Sequence, residues 1–233
     1  MIKFAKTALL ILLCATTAAG FLWLPPAAGP FRNQDLARIV VFHVPCAIVA
    51  SVASAVASFF AIKYLWLRRS GDDVRSKVSF SLALLFWILT TATGAMFAKV
   101  QWGQFWSWDI KQTSILAMLM IDVAYFALRA VIDNPSKQAA AAAAYSIFAM
   151  ITVPLLTYIF PNSTPNTLHP KQTKLDEQYS LILWTGAFGL TCVYFWMYQV
   201  HVKVEDLSRR AAALRQTGTE PPHWFVTEVS PSS

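Results

Sequence analysis

Charge is what this sequence has least of. Only 13% of its 233 residues are Asp, Glu, Lys or Arg, where soluble domains carry about a quarter. With 56% hydrophobic residues, a chain this short has more apolar surface than a soluble core could hide. Acidic residues are the scarcer sign, 12 against 19 basic, for a net charge of +7. The basic residues do not form one stripe, which excludes a nucleic-acid-binding face; they fall between apolar runs. Cysteine is scarce too. Cys14, Cys46 and Cys192 stand far apart within apolar segments, excluding a disulfide framework or a paired metal site, and they read as small buried core residues. Neither an internal repeat nor β-type alternation is present.

What is there is a set of six apolar stretches, at about 7–24, 39–62, 78–98, 112–128, 138–160 and 179–200. A helix needs about 20 residues to cross the hydrocarbon layer, and backbone groups in lipid must be satisfied within the segment. The expected fold is therefore an all-α integral membrane protein with six transmembrane helices. The fourth run is the shortest and contains Asp122. The first reads either as a span or as a cleaved leader: Lys3 and Lys6 precede it and "ATTAAG" follows, but the apolar run continues through "FLWLPP". Residues 1–200 form the membrane domain, and 201–233 a polar, mobile, cytoplasmic tail.

Lys and Arg set the orientation. With the N-terminus in the cytoplasm, thirteen lie in inner segments and six in outer ones (Arg32, Arg38, Lys99, Lys111, Lys171 and Lys174), as the positive-inside rule requires. Both termini are then cytoplasmic, and the expected location is the bacterial inner membrane. The outer segments are about 25–38, 99–111 and 161–178. His43 and His169 share that face with "WGQFWSWDIKQT", while His201 and His223 fall on the inner side.

The aromatic stretch holds three of the nine tryptophans. In a helical conformation, Trp102, Trp106 and Asp109 follow i, i+4, i+7 and form one stripe, with Phe105 and Trp108 alongside. Such a surface, with indole N–H groups at its rim, suits a large planar ligand; an interfacial aromatic belt is the plainer alternative. Gly103 permits close approach to the backbone. Asp109 and Gln112 also read as a capping box opening the fourth helix, and Lys111 reads as a side chain reaching to the headgroups. His43, in "VVFHVPCAIVA", lies where a histidine is costly and commonly marks function. Its alternative is a neutral imidazole bonded to a neighbouring helix, and Pro45 is expected to loosen the helix there. His169 stands in the polar loop "NSTPNTLHPKQT". Together the two are candidate axial ligands for iron, with Arg32, Arg38, Lys171 and Lys174 available to ligand carboxylates. Asp122 lies about 20 Å deeper than Asp109, either on a proton path or as a protonated acid bonded within the bundle.

"WGQFWSWD" resembles the WGxxWxWD signature of the haem-handling superfamily of cytochrome c biogenesis, the CcmC and CcsA type. "FHVP" and "NTLHP" resemble that family's two flanking histidine segments, and six spans resemble its CcmC branch. The resemblance covers about residues 36–200. It implies that Trp102, Gly103, Phe105, Trp106, Trp108 and Asp109 contact haem, and that His43 and His169 ligate its iron. It further implies a non-enzymatic protein that holds haem b transiently, without covalent attachment, at the outer membrane face. The implied recipient is a membrane-anchored, CcmE-like haem chaperone, with release assisted by a CcmABD-like ABC complex and small subunit. The lack of any CxxCH sequence agrees with non-covalent holding. "DIKQT" departs from the branch pattern, its lysine leaning towards CcsA-type sequences, so a CcsA-like synthase subunit remains an alternative. Two others are a transporter moving haem through the membrane and a quinone-linked membrane redox enzyme.

Overall fold

The computed structural model describes residues 2–29, 31–165, 167–169 and 175–217. Lys171, Lys174 and His223 lie outside the described residues. Those described form helices and no strands: α1 (Ile2–Leu22), α2 (Val40–Leu67), α3 (Ser70–Trp102), α4 (Ile110–Val131), α5 (Pro135–Pro154), α6 (Phe160–Ser163) and α7 (Glu177–Thr217). A 3₁₀ turn, Leu36–Ile39, leads into α2, and a π-helical segment, Leu155–Ile159, joins α5 to α6 as one continuous span. Among the described residues, six helices are long and apolar enough to cross a membrane.

Most spans are longer than the apolar runs suggest, because hydropathy reports only the part inside hydrocarbon. The expected inner loop after residue 62 is helix to Leu67, closed by Arg68 in the left-handed region (φ 53°), whose N–H donates to the Tyr64 carbonyl at 2.8 Å. Two residues later α3 begins, with Asp72 and Asp73 in its first turn, where the helix dipole favours acids. At the far end of the chain, α7 runs on to Thr217, so 201–217 of the polar tail is helix.

Lipid tails supply no hydrophobic drive between helices, so close packing and interhelical hydrogen bonds must hold the bundle. A stripe of small residues on α2 (Ala50, Ala53, Ala57 and Ala61) is fully buried. It lets α3 and α5 approach closely: Ser79 donates to the Ala53 carbonyl at 2.7 Å, and Ser58 to that of Ser146 at 2.8 Å. A core of Val49, Val78, Leu82, Phe86, Trp87, Met118 and Tyr194 fills the centre. Pro45 is buried inside an unbroken α2 rather than loosening it. Gly189 brings α1 onto α7; a Cβ there would stand 2.8 Å from Leu13. The expectation of three buried cysteines holds for Cys46 alone, since Cys14 is exposed and Cys192 half-buried.

The bundle has two unlike ends. At the turn end, carrying residues 68–69 and 132–134, ion pairs clasp the helices together. Arg129 holds both oxygens of Asp73 at 2.8 and 3.1 Å, Lys63 reaches Asp72 at 3.4 Å, and Lys77 reaches Glu205 at 2.9 Å. At the loop end, three irregular segments meet. Gln101 exchanges hydrogen bonds with the backbone of Asn33, Tyr179 donates to Pro25, and Thr167 donates to Asp109.

Candidate functional site

The site forms where the loop end pulls apart. A cavity of about 270 Å³ is lined from α2 by His43, Val44, Ala47, Ile48 and Ser51, and from α3 by residues between Trp87 and Ala95. Lys111, Gln112 and Ile115 of α4 close another side, with Thr157 of the π-helical segment, Trp106 and His169. Two histidines more than a hundred residues apart in sequence thus face one space.

The tryptophan segment reaches it by a route other than a helical stripe. Helix α3 stops at Trp102 because Gly103 takes φ 85° and caps it, its N–H donating to the Lys99 carbonyl; glycine is the usual residue at such a stop. Residues 103–109 are not helical, so Trp102, Trp106 and Asp109 do not stack on one face. Trp102 packs edge-on against the His169 ring at 4.7 Å, Trp106 lines the cavity, and Trp108 and Phe105 are exposed. Trp108 itself has φ 57°, a conformation that costs free energy in a bulky residue and concentrates at functional positions. The close approach at Gly103 comes from this chain: Arg32 lies 3.2 Å from where a Cβ would be.

Asp109 caps α4, accepting from the Lys111 N–H at 3.1 Å. Gln112 does not complete the capping box. It reaches further back, accepting from the N–H and hydroxyl of Ser107 at 2.9 Å each and donating to the Phe105 carbonyl, which pins the loop that carries Trp106. Asp109 also accepts from Leu168 N–H at 2.8 Å, from the Thr167 hydroxyl at 2.9 Å and from His169 Nδ1 at 2.8 Å. Burial alone would raise its pKa, but these donors outweigh burial and hold the carboxyl below the usual range. An ionised carboxylate can only accept, so Nδ1 of His169 carries the proton and Nε2 is left free. Burial pushes the His169 imidazole below its ordinary value despite Asp109, which favours the neutral, metal-binding form.

His43 makes the bond to a neighbouring helix that its plainer alternative reading gave it: Nδ1 lies 3.1 Å from Thr93 Oγ1 of α3. Of the cations, Lys111 lines the cavity instead of reaching to the headgroups, because it faces the same way as Ile115 one turn on. Arg38 is committed to the carbonyls of Phe21 and Asp35, and Arg32 lies at Gly103; neither lines the cavity. Asp122 is buried between helices, with one carboxylate oxygen lacking a partner. His201 is exposed on α7.

Two residues that border the cavity, Trp87 and Trp106, have buried indole N–H groups with no partner among the described residues. Buried donors are rarely left so. The arrangement offers two imidazoles and an ammonium among apolar walls, side chains able to meet a metal ion or an acidic group. Sequence reasoning missed Trp87, Thr93, Gly94 and Thr157. The small polar run "TTATGA" at 90–95, set inside an apolar span, was the available signal.

A model of the family described as heme exporter protein C matches residues 1–217. Heme exporter protein C of Bradyrhizobium diazoefficiens is 26% identical over 196 residues, covering 81% of this chain and 74% of the relative. That of Paracoccus denitrificans is 22% identical over 226 residues, 91% of this chain and 93% of the relative. That of Escherichia coli (strain K12) is 25% identical over 154 residues, 65% of this chain and 61% of the relative.

Proposed function

The chain belongs to the heme exporter protein C family, and from that premise we propose that it holds haem at the loop end between His43 and His169 and hands it on. Membership carries a role in haem handling for cytochrome c biogenesis, in a multi-pass protein of the inner membrane and within a haem-exporter complex. In the finer reading both termini are cytoplasmic and the loop end faces the periplasm.

The observation that carries this reading is the convergence of His43, His169, Trp106 and Lys111 on one cavity. Haem here is cargo. Its iron meets two imidazole nitrogens, its macrocycle lies against Val44, Ile48 and Ile115, and its carboxylates find Lys111. Ligand pockets run from about 300 to 1,000 Å³. A cavity of about 270 Å³ lies at the lower edge of that range, which fits a ligand left partly uncovered. That suits transient holding of haem b without a covalent bond. A free edge is also what a membrane-anchored, CcmE-like chaperone needs, with a CcmABD-like ABC complex and small subunit assisting release. The side chains of the cavity bind and orient, and the protein acts as a carrier, not an enzyme.

The test is the purified protein with its His43→Ala and His169→Ala variants, compared by haem absorbance and by loading of the acceptor. Each variant is expected to lose the bis-histidine spectrum and most acceptor loading while still accumulating. Unchanged spectra in both variants would sink the reading.

A further inference from the structure

We propose that Thr93 and Gly94 of α3 form a cradle that fixes the His43 imidazole with Nδ1–H bound and Nε2 presented to the cavity. The proposal rests on the reading of His43 as an iron ligand and makes Thr93 and Gly94 positioning residues for it.

The argument starts from a proton. A hydroxyl has one, and Thr93 Oγ1 lies 2.7 Å from the Leu89 carbonyl one turn back and 3.2 Å from that of Thr90. Carbonyls only accept, so the Thr93 proton is directed at its own helix. The lone pairs of Oγ1 are then what face His43 Nδ1 at 3.1 Å, and the bond between them requires the proton on Nδ1. A neutral imidazole that donates through Nδ1 keeps its lone pair on Nε2, the form a metal needs.

Gly94 supplies the space. A Cβ there would stand 2.8 Å from His43 Cε1 and 3.3 Å from Nδ1. Any side chain at 94 must therefore push the ring off Thr93. Glycine inside a helix is less stable than alanine, and the close approach of the imidazole gives a reason for it here.

The cradle makes the two ligands unlike. The Nδ1 of His169 faces an ionised carboxylate, whereas that of His43 faces a neutral hydroxyl. A carboxylate partner raises the basicity of the ligating nitrogen more, so His169 is the stronger donor to iron and His43 the better fixed in direction.

The experiment uses the full-length protein in lipid nanodiscs, titrated with haem. Thr93→Val keeps the shape and removes the acceptor, Thr93→Ser keeps the acceptor, and Gly94→Ala displaces the ring. Thr93→Val and Gly94→Ala are expected to weaken haem binding by about 10- to 100-fold and to shift the spectrum towards that of His43→Ala. Thr93→Ser should stay near the parent. If Thr93→Val and Gly94→Ala keep the bis-histidine spectrum and affinity while His43→Ala loses them, the cradle is wrong and the ligand reading stands. If His43→Ala itself changes nothing, the ligand reading fails, and the cradle with it.

Discussion

The two ends of the bundle solve opposite problems. The turn end has connections two or three residues long and satisfies buried charge with charge: Asp73 and Arg129 are each about nine-tenths buried and meet through two bonds. The loop end has long irregular segments and a cavity between the helices. Opposed charges tie the helices at the turn end, whereas at the loop end two histidines, Trp106 and Lys111 border one cavity. The comparison teaches that stability and ligand holding are separable in this fold, and substitutions at each end should show it.

The largest effect belongs to the turn end. Arg129→Met leaves Asp73 buried with only the more distant Arg209 at 3.4 Å. Breaking a buried pair costs about 3–5 kcal/mol, so accumulation and thermal stability should fall sharply. The protein that does fold should bind haem with the parent spectrum; an altered spectrum would mean that the ends are coupled. Asp109→Asn is the loop-end counterpart. Asparagine still caps α4 but removes the charge that orients His169 and tethers Thr167 and Leu168. Haem affinity should drop about 10- to 100-fold with accumulation close to the parent, as measured by titration and immunoblot.

Smaller effects sharpen the boundary. Gln112→Ala frees the Ser107 backbone and the Phe105 carbonyl, each bond worth about 1 kcal/mol. Trp106 should then leave the cavity part of the time, weakening haem binding several-fold, a change that tryptophan fluorescence would report. Ser79→Ala strands the Tyr194 hydroxyl, now 2.6 Å from Ser79 Oγ. Interhelical bonds of this kind in membranes average about 0.6 kcal/mol, so a small loss of thermal stability is expected, with no change in the haem spectrum.

The number of spans was legible because lipid imposes its length on every apolar run. Their ends were not: ion pairs such as Lys77–Glu205 and the left-handed stop at Arg68 extend helices beyond the hydrocarbon, where hydropathy is silent. His43 and His169 were legible as candidates because a histidine near membrane depth is costly and because both fell on one face. The helical tryptophan stripe failed for a local reason. Gly103 ends α3 and Asp109 opens α4, and the residues between have no helix to belong to. Lys111 was not legible as a cavity residue because snorkelling is the default reading of a lysine near an interface, and only the packing of α3 and α4 shows a cavity for it to line. Thr93 and Gly94 were marked only by the small polar run at 90–95, a weak signal because small polar residues in a span ordinarily serve packing.

The central claim, that His43 and His169 ligate one iron, is met most directly by electron paramagnetic resonance of the ferric, haem-loaded protein. A low-spin bis-imidazole signal is expected in the parent, replaced in His43→Ala and in His169→Ala by a high-spin signal that added imidazole converts back. A low-spin signal surviving unchanged in either variant would contradict the claim.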